Sequence, residues 1–297
     1  MKMPFFVAKL KQAILFRNGN STILEVTINE KDFLKDLKLD QRGMSTLPWI
    51  IKLTKRENPS ADFLEKQLDI FKETGSGILA NSKNPVRWLG SGVILFLKTS
   101  AKDGYLVVNQ RHKNYTWGGF FDGNGGFSSS IKDMLYPSKL ALKELKEEMV
   151  IKSGRKRLKH SSIPSKEIPI KKSTVVIVHF KNKSYKTNNL KLIVDPDTGT
   201  IDFRQIRQIY INNLNNLTFV DGEKRFINKK DQTLQERPIL IFSLEDVKEM
   251  FQAKKSIVPI KGFKNSVRID ETNLVKYRMT KYNLAPTLKL TLEDYFK

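Results

Sequence analysis

Residues 143–151 read KELKEEMVI, a stretch whose glutamates recur at the spacing of a helix. At 3.6 residues per turn Glu144, Glu147 and Glu148 fall within an arc of about 100°, which makes one acidic face. The same wheel turns Leu142, Leu145 and Met149 toward a core and Lys139, Lys143 and Lys146 toward water. Like charges at these spacings cost about 0.2–0.5 kcal/mol per pair in an isolated helix, so the pattern calls for a compensating cation. A hard divalent metal suits a set of carboxylates.

Upstream lies a glycine-rich segment bounded by aromatic side chains, residues 117–127 (WGGFFDGNGGF), whose composition predicts a loop that lets backbone groups approach a ligand closely. Pro137 then marks the start of the helix, because the amide hydrogen that proline lacks would have no helical partner in a first turn. Loop, helix and acidic face follow one another in order.

These residues resemble the Nudix box, which reads Gly, five residues, Glu, seven residues, then Arg-Glu-aliphatic-any-Glu-Glu-any-Gly-aliphatic. Glu144, Leu145, Glu147, Glu148 and Ile151 match outright, and Lys143 stands where the family has Arg. Leu135 replaces the first Glu, Val150 replaces the final Gly, and the stretch from Gly126 to Leu135 is three residues longer than the family spacing. In the family the first Glu and the Arg form a supporting ion pair, so these departures alter the scaffold and spare the metal ligands.

The resemblance runs over about residues 88–251. Residues 91–97 and 104–111 read as buried strands joined by a turn at 100–104, similar to the strand pair that precedes the family's box. Residues 173–180 have the β-branched density of a central strand. Residues 239–251 read as a strand, Ser243 as N-cap, and a short amphipathic helix. The fold class implied is α/β, a Nudix-type α/β/α sandwich with a mixed sheet. To it are added a small α+β region at 1–85, an insertion at about 181–237 and a C-terminal extension at 254–297. In the first of these, residues 23–28 alternate like a strand, 30–39 read as a short helix, and Ser60 caps a helix carrying Phe63, Leu64, Leu68 and Phe71. The insertion is too long for a structureless loop, so it holds a hairpin or helix of its own, for instance at 202–214.

The activity implied by the resemblance is hydrolysis of a diphosphate linkage in a nucleoside diphosphate derivative, including the 5′ end of RNA. Glu144, Glu147 and Glu148, with the carbonyl of Gly125, would hold Mg²⁺ or Mn²⁺. Arg111 and Lys143 are candidates for phosphate contact, and Trp117, Phe120 or Phe121 for stacking on a base. Glu236 is the favoured additional acid or base among Asp221, Glu223 and Glu236, since relatives place one just before the closing strand. The three histidines, His112, His160 and His179, form no ligand or triad spacing. The alternative is an inactive Nudix-like module that binds RNA or joins an assembly.

A formal net charge of +22 over 297 residues attracts polyanions and points to nucleic acid as partner, with a dense basic segment at 152–160. The chain has no cysteine, which excludes disulfides and thiolate sites and fits a reducing, cytoplasmic compartment. No apolar run is longer than a strand, so neither a membrane span nor a secretory leader is expected.

Overall fold

The computed structural model describes residues 6–35, 61–99, 104–111, 117–128, 130–153, 156–158, 165–197, 199–221, 237–264 and 266–297. It is an α/β structure in which strands predominate and pair mostly antiparallel. The chain divides into two compact units, each drawn from three segments. The first comprises Met1–Ser91, Gly126–Ala141 and Pro169–Arg204; the second comprises Gly92–Gly125, Leu142–Ile168 and Gln205–Lys297.

In the first unit the hairpin of Ala13–Asn18 and Ser21–Thr27 is extended by a parallel partner, Thr174–Phe180, with Leu24 opposite Val176 and Val26 opposite Val178. Thr174–Phe180 alternates buried and half-buried positions along its whole length, as period-2 side chains over a core must. It turns back into Lys183–Asp195, which pairs with the start of Thr200–Tyr210. The strand expected at 23–28 is therefore present, and the stretch beyond residue 181 does hold a hairpin. Its residues 202–210 are strand, however, with a 3-10 turn only at Leu214–Asn216.

Ala61–Thr74 is the helix expected after Ser60, which itself lies outside the described residues. Leu64 on this helix joins Leu24, Val176, Leu79, Trp88 and Phe203 in one buried cluster, where the Trp88 and Phe203 rings meet edge to face at 4.8 Å. Truncating either ring to alanine costs about 3–5 kcal/mol. The helix expected at 30–39 is absent over its described part. A 3-10 turn at Glu30–Asp32 gives way to a strand, Phe33–Lys35, because its backbone pairs with Phe6–Ala8. Tertiary pairing overrides local propensity there.

In the second unit Gly104–Gln110 lies between the end of Val86–Lys98 and Ile239–Ser243, antiparallel to both. These are the strands expected at 91–97, 104–111 and 239–243; the turn expected at 100–104 falls largely outside the described residues. Ser243 caps Leu244–Ala253 by accepting from the Asp246 backbone N–H. The C-terminal residues add a hairpin, Lys261–Lys264 with Val267–Arg268, and a helix, Pro286–Phe296, that buries Leu288 and Leu292. Among the described residues no helix is long and apolar enough to cross a membrane.

Candidate active site

The helix expected from Pro137 runs Pro137–Glu148, with Pro137 in its first turn. It stops three residues short of the expected end. Met149–Ser153 is a strand, paired with Leu217–Asp221 on one side and Lys156–Leu158 on the other. Met149, Val150 and Ile151 are buried there, so β-branched packing takes the place of a glycine stop at Val150. Leu145 and Met149 face a core as the helical wheel required, Leu142 is half-buried, and Lys139 and Lys146 are exposed. Lys143 departs from the expectation, being half-buried; it and the half-buried Glu144 both have interaction partners.

Glu144, Glu147 and Glu148 occupy the last turns of this helix. That is an electrostatically unfavourable place for acids, because the final carbonyls carry a partial negative charge and each carboxylate beside them costs about 0.3–1 kcal/mol. The side chains of Glu147 and Glu148, and the whole of Glu236, lie outside the described residues. Among the described residues no group of three or more carboxylate or imidazole side chains is gathered for a metal. The basic segment at 152–160 is described only in part, through strand backbone at Met149–Ser153 and Lys156–Leu158.

The three extra residues between Gly126 and Leu135 have a structural outlet. Ser130 caps a short helix, Ile131–Leu135, by accepting from the Asp133 N–H, and Tyr136 closes it with a hydrogen bond to the Asp133 carbonyl. Leu135, where the resemblance expects a glutamate, is buried in the first unit's apolar cluster. An acid there would have to lose its hydration without a partner.

Much of the segment expected as an open glycine loop is strand. Phe121–Asp122 pairs with the end of Gly104–Gln110, and Asn124–Phe127 follows. Gly123 between them is fixed by contact, since a Cβ there would sit 2.8 Å from the Val93 carbonyl oxygen. The remaining turn, residues 117–120, is closed by the Phe120 N–H donating to the Trp117 carbonyl, with Gly119 at φ +82° as a type II turn requires at its third position. Arg111 clamps it from both sides: its N–H donates to the Phe120 carbonyl at 2.8 Å and its carbonyl accepts from Gly119 at 2.9 Å. Arg111, Trp117 and Phe120 are thus brought together. Trp117 is 46% exposed and meets the half-buried Phe120 ring edge to face at 5.4 Å, while Phe121 is buried.

The guanidinium of Arg111 is committed to a carboxylate that the sequence reading passed over. Asp122, 5% exposed, accepts from Arg111 Nη1 at 2.6 Å on one oxygen; on the other it accepts from the Gly123 N–H at 2.8 Å and Thr287 Oγ1 at 3.0 Å. Asn109 sits opposite Asp122 in the ladder and is buried as well. Two residues further on, Asn124 is 1% exposed and neither atom of its amide has a hydrogen-bond partner among the described residues; the Arg111 Nε is buried in the same condition. The available signal was the pair of polar residues in otherwise apolar strands, Asn109 and Asp122, which stand directly opposite each other.

No protein-family model matches this chain, and no curated protein does. Among solved structures, a similar chain is a crystal structure of a Nudix hydrolase from M. Smegmatis, RenU, at 12% identity, covering 44% of this chain and 69% of that one. The TM-score is 0.24, too low for the likeness to carry an argument about what this chain does.

Proposed function

We propose that this chain is a Nudix-type hydrolase that cleaves a diphosphate linkage in a nucleoside diphosphate derivative, with the 5′ end of RNA among its candidate substrates. The observation that carries the reading is the position of Glu144, Glu147 and Glu148: three acids within one arc of a helix, two of them in its final two residues, against the sense of the helix dipole. Such a placement is stabilised by a cation. Three carboxylates and the Gly125 carbonyl are hard oxygen donors, the set that suits Mg²⁺ or Mn²⁺. A divalent ion held there would offset diphosphate charge and lower the pKa of a bound water. Lys143 provides positive charge for a phosphate oxygen, the exposed Trp117 ring provides a stacking surface, and Glu236 stands next in line as proton acceptor. Arg111 enters through the turn it clamps, since its Nη1 is held by Asp122.

The test is a turnover screen with Mg²⁺ or Mn²⁺ over capped RNA, dinucleotide cofactors, nucleotide sugars and nucleoside triphosphates. Wild type releases a nucleoside monophosphate from at least one substrate, and Glu148→Gln loses the activity by about 100-fold or more. Metal-free Glu148→Gln is also no less stable than wild type, because a carboxylate is removed from a helix C-terminus. Its melting temperature no longer rises with added Mg²⁺.

A second reading, a non-catalytic Nudix-like module for RNA or an assembly, is favoured by Leu135, which is packed in a core where the family's supporting glutamate would stand. It predicts RNA binding without turnover of any substrate in the screen.

A further inference from the structure

The first unit carries an open recess of ≈ 830 Å³ where the loop after Ser21–Thr27 meets the turn that follows Thr174–Phe180. Its lining is strongly charged, with four lysines (Lys11, Lys31, Lys181 and Lys183) against two acids, Glu30 and Asp32. Both acids are already neutralised. Lys11 Nζ lies 2.8 Å from the Asp32 carboxylate, and Lys181 is ion-paired with Glu30. That leaves Lys31 and Lys183, both exposed and neither in an ion pair among the described residues, as an uncompensated pair of positive charges. The rest of the lining adds hydroxyl, amide and imidazole groups, with His179 Nδ1 2.9 Å from Ser184 Oγ.

The backbone argues in the same direction. Lys181 and Asn182 have φ of +48° and +59°, the two-residue turn that matches strand twist in a hairpin. Asn and Gly are the residues that adopt this conformation at least cost. A lysine at the first position is strained by comparison, and it brings a cation to the rim of the recess. Strain of this kind persists where the surrounding structure holds it.

We infer that this recess binds phosphate groups of a single-stranded nucleic-acid backbone, with Lys31 and Lys183 as the contacting cations. The lysine-bound acids, with the Asn29 side chain bonded to Asp32 and the Ser184 hydroxyl bonded to His179, fix the rim around them. The excess positive charge of the whole chain explains attraction to polyanions in general; the recess gives two of those charges a defined place. The inference stands apart from the hydrolase reading, and its test is run without divalent metal so that the two fail separately.

The experiment is fluorescence anisotropy of a fluorescein-labelled oligouridine of about 12 nucleotides, titrated in EDTA at several salt concentrations. Lys31→Glu/Lys183→Glu lowers affinity by about tenfold near physiological salt and reduces the slope of log K against log salt by about 1.4, the value for two single-strand phosphate contacts. The charge-matched control Lys248→Glu/Lys276→Glu, in the other unit, lowers affinity by less than about threefold. Equal losses in both double variants would show a diffuse field and overturn the assignment. An unchanged oligouridine affinity, with AMP binding lost by calorimetry in Lys31→Glu/Lys183→Glu, would also overturn it by making the recess a site for free phosphate compounds.

Discussion

Asp32 in the first unit and Asp122 in the second are both buried carboxylates held by a cation, yet their surroundings are solved in opposite ways. Asp32 is 2% exposed and receives Lys11, the Asn29 backbone N–H and the Asn29 side-chain amide, so its charge is spent within the fold. Asp122 is equally well bonded, but its polar surroundings are not: among the described residues Asn124, two residues away, has no partner for either amide atom, and Arg111 Nε has none. An unpaired buried polar group costs about 1–3 kcal/mol. The first arrangement closes a structural corner and leaves its surplus charge outside, on exposed lysines. The second keeps polar capacity buried, at the start of the strand that carries Gly125.

The largest effect that would sharpen this contrast comes from Asp122→Ala. It strands Arg111, the Gly123 N–H and Thr287 together, and a loss of about 3 kcal/mol by denaturant unfolding is expected. Asp122→Asn keeps an acceptor for Gly123 and Thr287 and costs roughly half as much. If both variants unfold like wild type, these polar surroundings are not a structural unit and the comparison fails.

Asp32→Asn comes next, at about 1 kcal/mol, because Lys11 is half exposed and its ion pair is worth little; an amide oxygen still accepts from the Asn29 N–H, and most of the loss is the charge-assisted strength of that bond. This variant also carries a pH signature. Burial pushes the Asp32 carboxyl up, but the hydrogen bonds from Lys11 and Asn29 outweigh it and hold it below the ordinary 3.8. A depressed folded-state pKa means the unfolded chain takes up the proton first. The stabilisation is therefore complete above the unfolded value and is lost as pH falls through the folded one. Wild type and Asp32→Asn are expected to differ most near neutral pH and to converge in acid. Curves that stay parallel would remove Asp32 from the acid response.

What was legible in the sequence follows from how local the determining forces are. The strands at 91–97, 173–180 and 239–243, the Ser243 cap and the Pro137 start were all readable, because burial period, a capping hydroxyl and a missing N–H act within a few residues. Two departures share a cause. Residues 33–35 read as helix and 121–127 as loop, yet each stretch is mainly strand through pairing with other segments: Phe6–Ala8 in one case, and in the other the Gly104–Gln110 strand for Phe121–Asp122 and the Val86–Lys98 strand for Asn124–Phe127. At the site, the acidic arc was visible from spacing alone. The Arg111–Asp122–Thr287 bonding was not, since 165 residues separate Asp122 from Thr287 and nothing local announces the contact. The recess at Lys31 and Lys183 was hidden for the same reason: two loops more than a hundred residues apart share one wall only after Ser21–Thr27 and Thr174–Phe180 have paired in parallel.

The smallest expected effect is the most discriminating. Asn124→Leu replaces a buried amide, unpartnered among the described residues, with an apolar side chain of nearly the same shape, so it removes a desolvation cost and adds apolar burial. On that account stability changes by less than about 1 kcal/mol, and in the favourable direction. Asn124→Asp, by contrast, places a charge at a position 1% exposed, two residues from Asp122 in sequence, and destabilises clearly. Should Asn124→Leu instead cost about 2 kcal/mol or more, the amide is hydrogen-bonded in solution by water or by a group outside the described residues. The polar surroundings of Asp122 in the second unit would then be as fully satisfied as those of Asp32 in the first, and the contrast between the two regions would reduce to the source of the partner.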